Sequence, residues 1–536
     1  MSVEELLASD FATLPELIRA HAAERPNHLA LIEGDTELDY AGLAALMDRI
    51  AFALQRDGVR GGDAVAICAR NSIPYAAAFC GILAAGATVA LLAPSSTPAS
   101  LMMMLEDSGA KVFLLDGETA RALRESGHEP QVRRVALDDG GAGQAFSRWI
   151  GADGVKPADV SILADQPFDI IYSSGTTGAP KGIVQPHRMR WAQVTRVAFR
   201  DAVTVVSTPL YSNTTLVVFL PTLAHGGTAV LMAKFDAGEF LRLSQAGRAT
   251  HAMLVPVQYR RILERPDFGQ YDLSSYVLKL STSAPFPAAL KADVLARWPG
   301  GLVEFYGMTE GGGATMLVAH QFPLKLHTVG QPMPGHDIRV IDEQGREVER
   351  GQVGEIVGRS AAMMTGYHNQ PEKTREAEWR DAEGRRFIRT GDIGRFDEDG
   401  FLVLLDRSKD VIISGGFNIY PSDIELELAR HDAVLEAAVV GVPSERWGET
   451  PVAFVALRQG AQVEEPTLMD WVNARLGKTQ RLSALTIVDS LPRSPIGKVL
   501  KRELRSLPAA CSGVTVRCRC RSETGQTDPE AEPPQP

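Results

Sequence analysis

Cysteine is scarce in this 536-residue chain: there are five, three of them among the last thirty residues. So few cannot staple a chain of this size into a disulfide framework, which fits a reducing compartment, the cytoplasm. Positive charge is also short. The formal net charge of −11 argues against a general nucleic-acid binder. Residues 1–10 are acidic rather than basic-then-apolar, unlike a secretory leader. No repeat of fixed period runs through the sequence. One uncharged stretch, 71–105, contains a segment, 75–93, with the length of a membrane span. It is mostly alanine, with Gly81, Gly86 and Thr88 inside and Pro74 and Pro94 at its ends. Alanine supplies little transfer free energy, so a buried helix followed by a short buried strand is expected, with no integral membrane association.

What is present is an ordinary globular composition, 45% hydrophobic and 23% charged, in a chain long enough for at least two cores. Amphipathic helical patterns at 14–24 and 40–57 alternate with short apolar strands at 64–67 and 112–115. Strand patterns at 203–207, 229–232 and 251–255 continue the alternation, with a helix over 288–298. This predicts the α/β class, a large N-terminal domain of layered α/β sheets with at least one mostly parallel sheet. Beyond Asp406 the texture changes to strands at 410–414, 437–441 and 453–457 and helices at 421–430 and 468–476. That predicts a small α+β domain with a core of its own. The expected domains are 1–405 and 411–507, joined at 406–410 by a hinge whose alternative is an ordinary surface turn. Residues 508–536, rich in Pro, Ser, Thr, Glu and Gln, read as a disordered tail. Cys518 and Cys520 there have no His or second Cys pair to make a zinc site.

The most specific local string is Asp169-Ile-Ile-Tyr-Ser-Ser-Gly-Thr-Thr-Gly-Ala-Pro-Lys-Gly182. An apolar strand enters a loop in which Gly175 and Gly178 let successive N–H groups turn into one concavity, suited to an anion. Ser173, Ser174, Thr176 and Thr177 add hydroxyl donors, and Lys181 a mobile positive charge. Five residues after Gly175 stands Pro180 rather than a glycine followed by Lys-Ser/Thr, which excludes a Walker loop. The alternative is a flexible surface loop.

This string resembles the phosphate loop of the adenylate-forming superfamily, which comprises acyl- and aryl-CoA synthetases, adenylation domains of peptide synthetases and beetle luciferases. Further strings resemble the superfamily's other motifs in order: Glu304-Phe-Tyr-Gly-Met-Thr-Glu310, Arg389-Thr-Gly-Asp392, the segment from Asp406-Arg-Ser-Lys-Asp to Glu425, and Pro492-Arg-Ser-Pro-Ile-Gly-Lys498. The resemblance spans 14–507. It implies ATP, Mg²⁺ and coenzyme A, with Tyr306 against adenine, Ser283-Ala284-Pro285 framing the base and Thr309 on the α-phosphate. It puts Glu310 on Mg²⁺, Asp392 on the ribose hydroxyls with Arg407 beside it, and Lys498 at the reacting α-phosphorus. An aromatic face, a hydroxyl and a hard carboxylate oxygen suit adenine, phosphate and metal. A carboxylate can accept from two hydroxyls at once, and a lysine on a mobile loop can meet charge that builds during phosphoryl chemistry. Taken alone, Glu310 is a solvated acid, Asp392 a turn cap and Lys498 a lysine of a basic helix; the ordered motifs favour the functional readings. By the same resemblance Lys409 is the hinge, Ser414-Gly415-Gly416 lines a pantetheine channel and Trp447 packs on the adenine of coenzyme A.

The chain departs from the pattern at Ser212, where many CoA synthetases have histidine, and at 478–483, which lacks the usual Lys-x-Pro-Lys. Asn213 stands where hydroxyaryl-acid-activating relatives carry an Asn that reads a ring hydroxyl, the alternative being a structural role. Tyr211, Asn213, Gly307, Met308 and Gly312 are expected to bound an acyl pocket for a mid-sized or aromatic carboxylate. The expectation is a ligase that forms an acyl-adenylate, releases pyrophosphate and passes the acyl group to coenzyme A. A stand-alone enzyme loading a carrier-protein thiol, or a catalytically inactive nucleotide-binding relative, is the alternative. Its expected partner is a small carboxylic acid, not nucleic acid, and a homodimer is left open.

Overall fold

The structure, a computed structural model, describes residues 1–173, 180–195, 199–414, 417–444, 447–494 and 497–507. Ser174, Gly175, Thr176, Thr177, Gly178, Gly415, Gly416 and the tail expected at 508–536 lie outside the described residues. The chain divides into two compact units, Met1–Lys409 with Arg493–Val499, and Asp410–Pro492 with the residues from Leu500 on. The first boundary falls within the expected hinge, where Ser408–Asp410 forms a 3₁₀ turn. The sequence assigns Lys498 to the small domain, but its segment gathers with the large unit. A bridge between Arg493 and Val499 closes a tight hairpin there. Its turn glycine, Gly497, has φ +77° and lies so close to Val255 and Val257 that a Cβ would stand 3.1 Å from Val257 Cγ1. A glycine supplies the left-handed backbone at no steric cost.

Two large sheets dominate the first unit among the described residues. In one, Pro167–Ser173, Thr88–Leu91, Ala64–Cys68, Val112–Leu115 and Arg133–Ala136 run parallel in that spatial order. Every residue of Ala64–Cys68, Thr88–Leu91 and Val112–Leu115 is buried, as expected of parallel strands covered on both faces. The uncharged stretch becomes the helix Ile73–Ala84 and the strand Thr88–Leu91. Ser72 caps that helix by accepting from Tyr75 N–H, and Pro74 sits in its first turn, where the missing N–H costs nothing. No helix among the described residues is long and apolar enough to cross a membrane.

The second large sheet carries Val203–Val206, His251–Leu254, Leu278–Ser281 and Gly301–Tyr306 as parallel neighbours. Tyr306 and the Ser283 turn therefore leave adjacent strand ends on the carboxyl edge of the sheet, where ligands of open α/β sheets bind. A third sheet, antiparallel, contains Asp337–Ile341, Gly354–Arg359, Arg386–Phe396 and Leu402–Arg407. It meets the loop after Tyr306 through glycines. Gly312 has φ +85°, and a Cβ there would lie 2.7 Å from the Gly358 carbonyl oxygen. A Cβ on Gly358 would in turn fall within the backbone of Gly313. The run Gly311-Gly312-Gly313 thus permits one backbone to lie directly on another. Gly312 is buried against Gly358 and Ile388.

The second unit is built on a long hairpin, Val434–Ser444 with Gly448–Leu457, joined by Ile412–Ser414, Phe417–Ile419 and Ala484–Val488. The strands outrun the expected 437–441 and 453–457. Pairing continues through Pro443 and Pro451, opposite Glu449 and Gly441. Substituting Gly358→Ala should lower stability by about 1–3 kcal/mol through overpacking against backbone. A reduced midpoint of thermal unfolding, with the transition of the small unit unchanged, is the expected readout.

Candidate active site

The strand Pro167–Ser173 returns as Lys181–Pro186 in antiparallel register, Ser173 opposite Lys181. The hydroxyl-rich loop is therefore closed by a hairpin, not by a strand-to-helix turn. Its base is fixed from two sides. Tyr172 donates its hydroxyl to Asp107 Oδ2 at 2.7 Å, and Asn369 Nδ2 donates to the Asp107 carbonyl at 3.1 Å. Beneath it, the Arg190 guanidinium donates from Nη2 to Asp169 Oδ2 at 2.7 Å, with both side chains essentially inaccessible. Burial pushes the Asp169 carboxyl upward in pKa, and the guanidinium opposes that push. Arg190 Nη1 also donates to Asn213 Oδ1 at 2.8 Å. Asn213 is thus engaged by a structural cation, which favours its structural alternative.

Tyr306, at the end of its strand, donates its hydroxyl to Asp392 Oδ2 at 2.8 Å. Arg407 Nε lies 3.0 Å from Asp392 Oδ1, and the two residues are direct partners across antiparallel strands. Thr390 Oγ1 accepts from the Asp392 N–H at 3.0 Å. Burial, then the negative charge of Asp392, hold the Tyr306 hydroxyl far above the usual phenol range, so it remains a donor.

After Tyr306 the chain passes Gly307 and Met308 to Thr309 and Glu310. Gln185 Nε2 donates to the Thr309 carbonyl at 2.5 Å, and Met364 N–H donates to the Glu310 carbonyl at 2.8 Å. The Tyr367 hydroxyl donates to Glu310 Oε1 at 2.9 Å, and Lys181 Nζ lies 5.0 Å from the centroid of the Tyr367 ring. Lys498 is exposed, and its N–H donates to Ser494 Oγ at 3.1 Å within the tight hairpin. Burial, followed by repulsion from Arg407, lowers its pKa, while Asp392 and Glu310 raise it and Lys409 lowers it further. The residues expected around the α-phosphorus thus share one electrostatic neighbourhood in the large unit.

Other expected positions are less concentrated. Ser283 adopts φ +80°, a strained value for a residue with a Cβ, and its hydroxyl pairs with Thr214 Oγ1 at 2.5 Å. Ala284 and Pro285 follow in the same turn. Tyr211 packs against the core around the alanine-rich helix, whereas Met308 packs with Ile183, Met364 and Tyr367. Of the expected acyl-pocket residues, Tyr211 and Met308 belong to separate hydrophobic clusters. In the small unit, Ser414 ends its strand opposite Gly448, and Trp447 is 49% exposed. Sequence reasoning missed Gln185, Arg190 and Tyr367. The only signal for Tyr367 is Gly366-Tyr367 before Pro371, too short a pattern to imply a contact with Glu310.

A carboxylate held by a phenol and a guanidinium, beside the carboxyl edge of a parallel sheet and on strings that carry the nucleotide motifs in order, fits the class of adenylate-forming enzymes. The chain belongs to the AMP-binding enzyme family, whose model matches residues 18–368, with the AMP-binding enzyme C-terminal domain matching 423–498. It is similar to long-chain-fatty-acid–CoA ligase FadD13 of Mycobacterium tuberculosis, 31% identical over 507 residues, covering 91% of this chain and 97% of that protein. It is 34% identical over 489 residues to feruloyl-CoA synthase of Amycolatopsis sp, covering 90% and 96%. Among solved structures it resembles ATP-bound MatB from Rhodopseudomonas palustris, with TM-score 0.81, 30% identity and coverage of 92% and 98%.

Removing the guanidinium in Arg190→Met leaves Asp169 buried without its partner, an expected loss of about 3–5 kcal/mol. Denaturation of the single variant against the double variant Asp169→Asn, Arg190→Met checks this. The double variant should recover part of the loss.

Proposed function

We propose that this enzyme uses ATP to convert a mid-sized or aromatic carboxylic acid to its acyl-adenylate, and then transfers the acyl group to coenzyme A. The observation that carries the reading is the Asp392 carboxylate, held by the Tyr306 hydroxyl at 2.8 Å and by Arg407 Nε at 3.0 Å beside the carboxyl edge of the parallel sheet. In the first half-reaction a carboxylate oxygen of the acid attacks the α-phosphorus and pyrophosphate leaves. Lys498 stabilises the negative charge that builds on the α-phosphate and bridging oxygens. Asp392 accepts from the ribose hydroxyls, Tyr306 borders the adenine with Ser283, Ala284 and Pro285, and Thr309 donates to the α-phosphate. The hairpin loop with Ser173 and Lys181 orients the outer phosphates.

Glu310 fits a hard divalent cation. Its described hydrogen bond occupies Oε1, and a carboxylate has a second oxygen with which to ligate such a cation. Mg²⁺, when bound there, would neutralise phosphate charge. In the second half-reaction the thiol of coenzyme A attacks the acyl carbonyl and AMP leaves. We assign Lys409 to the hinge that separates the two steps, and Ser414 and Trp447 to the pantetheine and adenine of coenzyme A. The similarity to CoA ligases favours coenzyme A over a carrier protein as acceptor.

A screen of carboxylic acids for acid-dependent pyrophosphate release, with and without coenzyme A, tests the reading. Release with no acid in a broad panel would instead favour an inactive relative. Lys498→Ala should abolish adenylate formation but spare thioester formation from supplied acyl-adenylate, and Lys409→Pro should show the reverse. Because the ammonium is the working form, the first half-reaction should fall as pH rises through the Lys498 pKa. The lowered pKa places that fall below the usual lysine range. Single-turnover rates against pH, compared with Lys498→Arg, would show it.

A further inference from the structure

Tyr367 lies between two groups assigned above to ATP. Its hydroxyl donates to Glu310 Oε1 at 2.9 Å, and its ring faces the Lys181 ammonium, 5.0 Å from the centroid. The backbone of Tyr367 is held by contacts other than these two side-chain ones. The strand Gly366–Tyr367 pairs antiparallel with Lys181–Pro186, Tyr367 opposite Ile183. The Tyr367 N–H donates to Thr374 Oγ1 at 2.9 Å, and the neighbouring His368 N–H donates to the Gly182 carbonyl at 2.7 Å. The ring packs with Ile183, Met364 and Ile388 in a small core.

A donor held on one oxygen stops a carboxylate from rotating freely and directs its other oxygen elsewhere. Such supporting groups fix the orientation and basicity of metal-binding side chains. The same ring also carries a cation–π contact to the lysine at the foot of the phosphate hairpin. We propose that Tyr367 is a positioning residue: it aims Glu310 Oε2 at the divalent cation of metal–ATP and couples that carboxylate to the hairpin through Lys181. This inference rests on the reading of Glu310 as a metal ligand.

Tyr367→Phe removes only the hydroxyl, while Tyr367→Leu also removes the ring beneath Lys181. The experiment uses the full chain with ATP and no acid, titrating Mn²⁺ by electron paramagnetic resonance and measuring metal-free ATP affinity separately. Tyr367→Phe should weaken Mn²⁺ binding to the enzyme–ATP complex by about tenfold, with metal-free ATP affinity unchanged. Tyr367→Leu should weaken both. If Glu310→Gln weakens Mn²⁺ binding but Tyr367→Phe does not, the positioning role is overturned. If Glu310→Gln leaves Mn²⁺ binding unchanged, the metal-ligand reading itself fails. Equal loss of Mn²⁺ and metal-free ATP affinity in Tyr367→Phe would mean general loosening and would also overturn the proposal.

Discussion

Asp392 carries a negative charge where two sheets of the large unit meet, and the site depends on how that charge is held. Tyr306 reaches it from the end of the parallel sheet, and Arg407 from the adjacent antiparallel strand. Hydrogen bonds to a charged group contribute about 1.5–3 kcal/mol each, more than neutral ones. A mostly buried carboxylate needs such partners to offset its lost hydration. The pairing also sets the environment of Lys498, whose ammonium is attracted by Asp392 and Glu310 and repelled by Arg407 and Lys409. A nucleotide that engaged Asp392 would alter the field at the lysine directly.

The close approach that makes this arrangement possible is steric. Gly312 and Gly313 lie against Gly358 with no room for a side chain, so the loop bearing Thr309 and Glu310 sits directly on the antiparallel sheet. On its other side the phosphate hairpin has a rigid foundation in the buried Asp169–Arg190 pair and in Asp107, which holds both Tyr172 and Asn369. The positions that flank the hydroxyl-rich loop are therefore fixed by interactions that do not involve substrate. Such preorganisation suits a reaction in which positioning and charge stabilisation supply most of the rate.

The acid end is organised differently. Arg190 takes up the amide oxygen of Asn213, and the Ser283 hydroxyl, in a strained turn, is paired with Thr214. These polar side chains satisfy one another.

The sequence by itself determined the α/β class, the change of texture near residue 406 and the identity of the nucleotide motifs. It could do so because strand periodicity and the string from Ser173 to Lys181 are local properties. Motif resemblance singled out Tyr306, Glu310, Asp392 and Lys498, and of these the structure hydrogen-bonds Tyr306 to Asp392. Only the tertiary structure decided that the Lys498 hairpin gathers with the large unit, that Gly312 packs on backbone, that Asn213 is held by Arg190 and that Tyr367 supports Glu310. Each of these joins residues 23 or more positions apart through a register, a buried charge or a van der Waals limit. No local pattern encodes such contacts, because their energy comes from what another element places opposite.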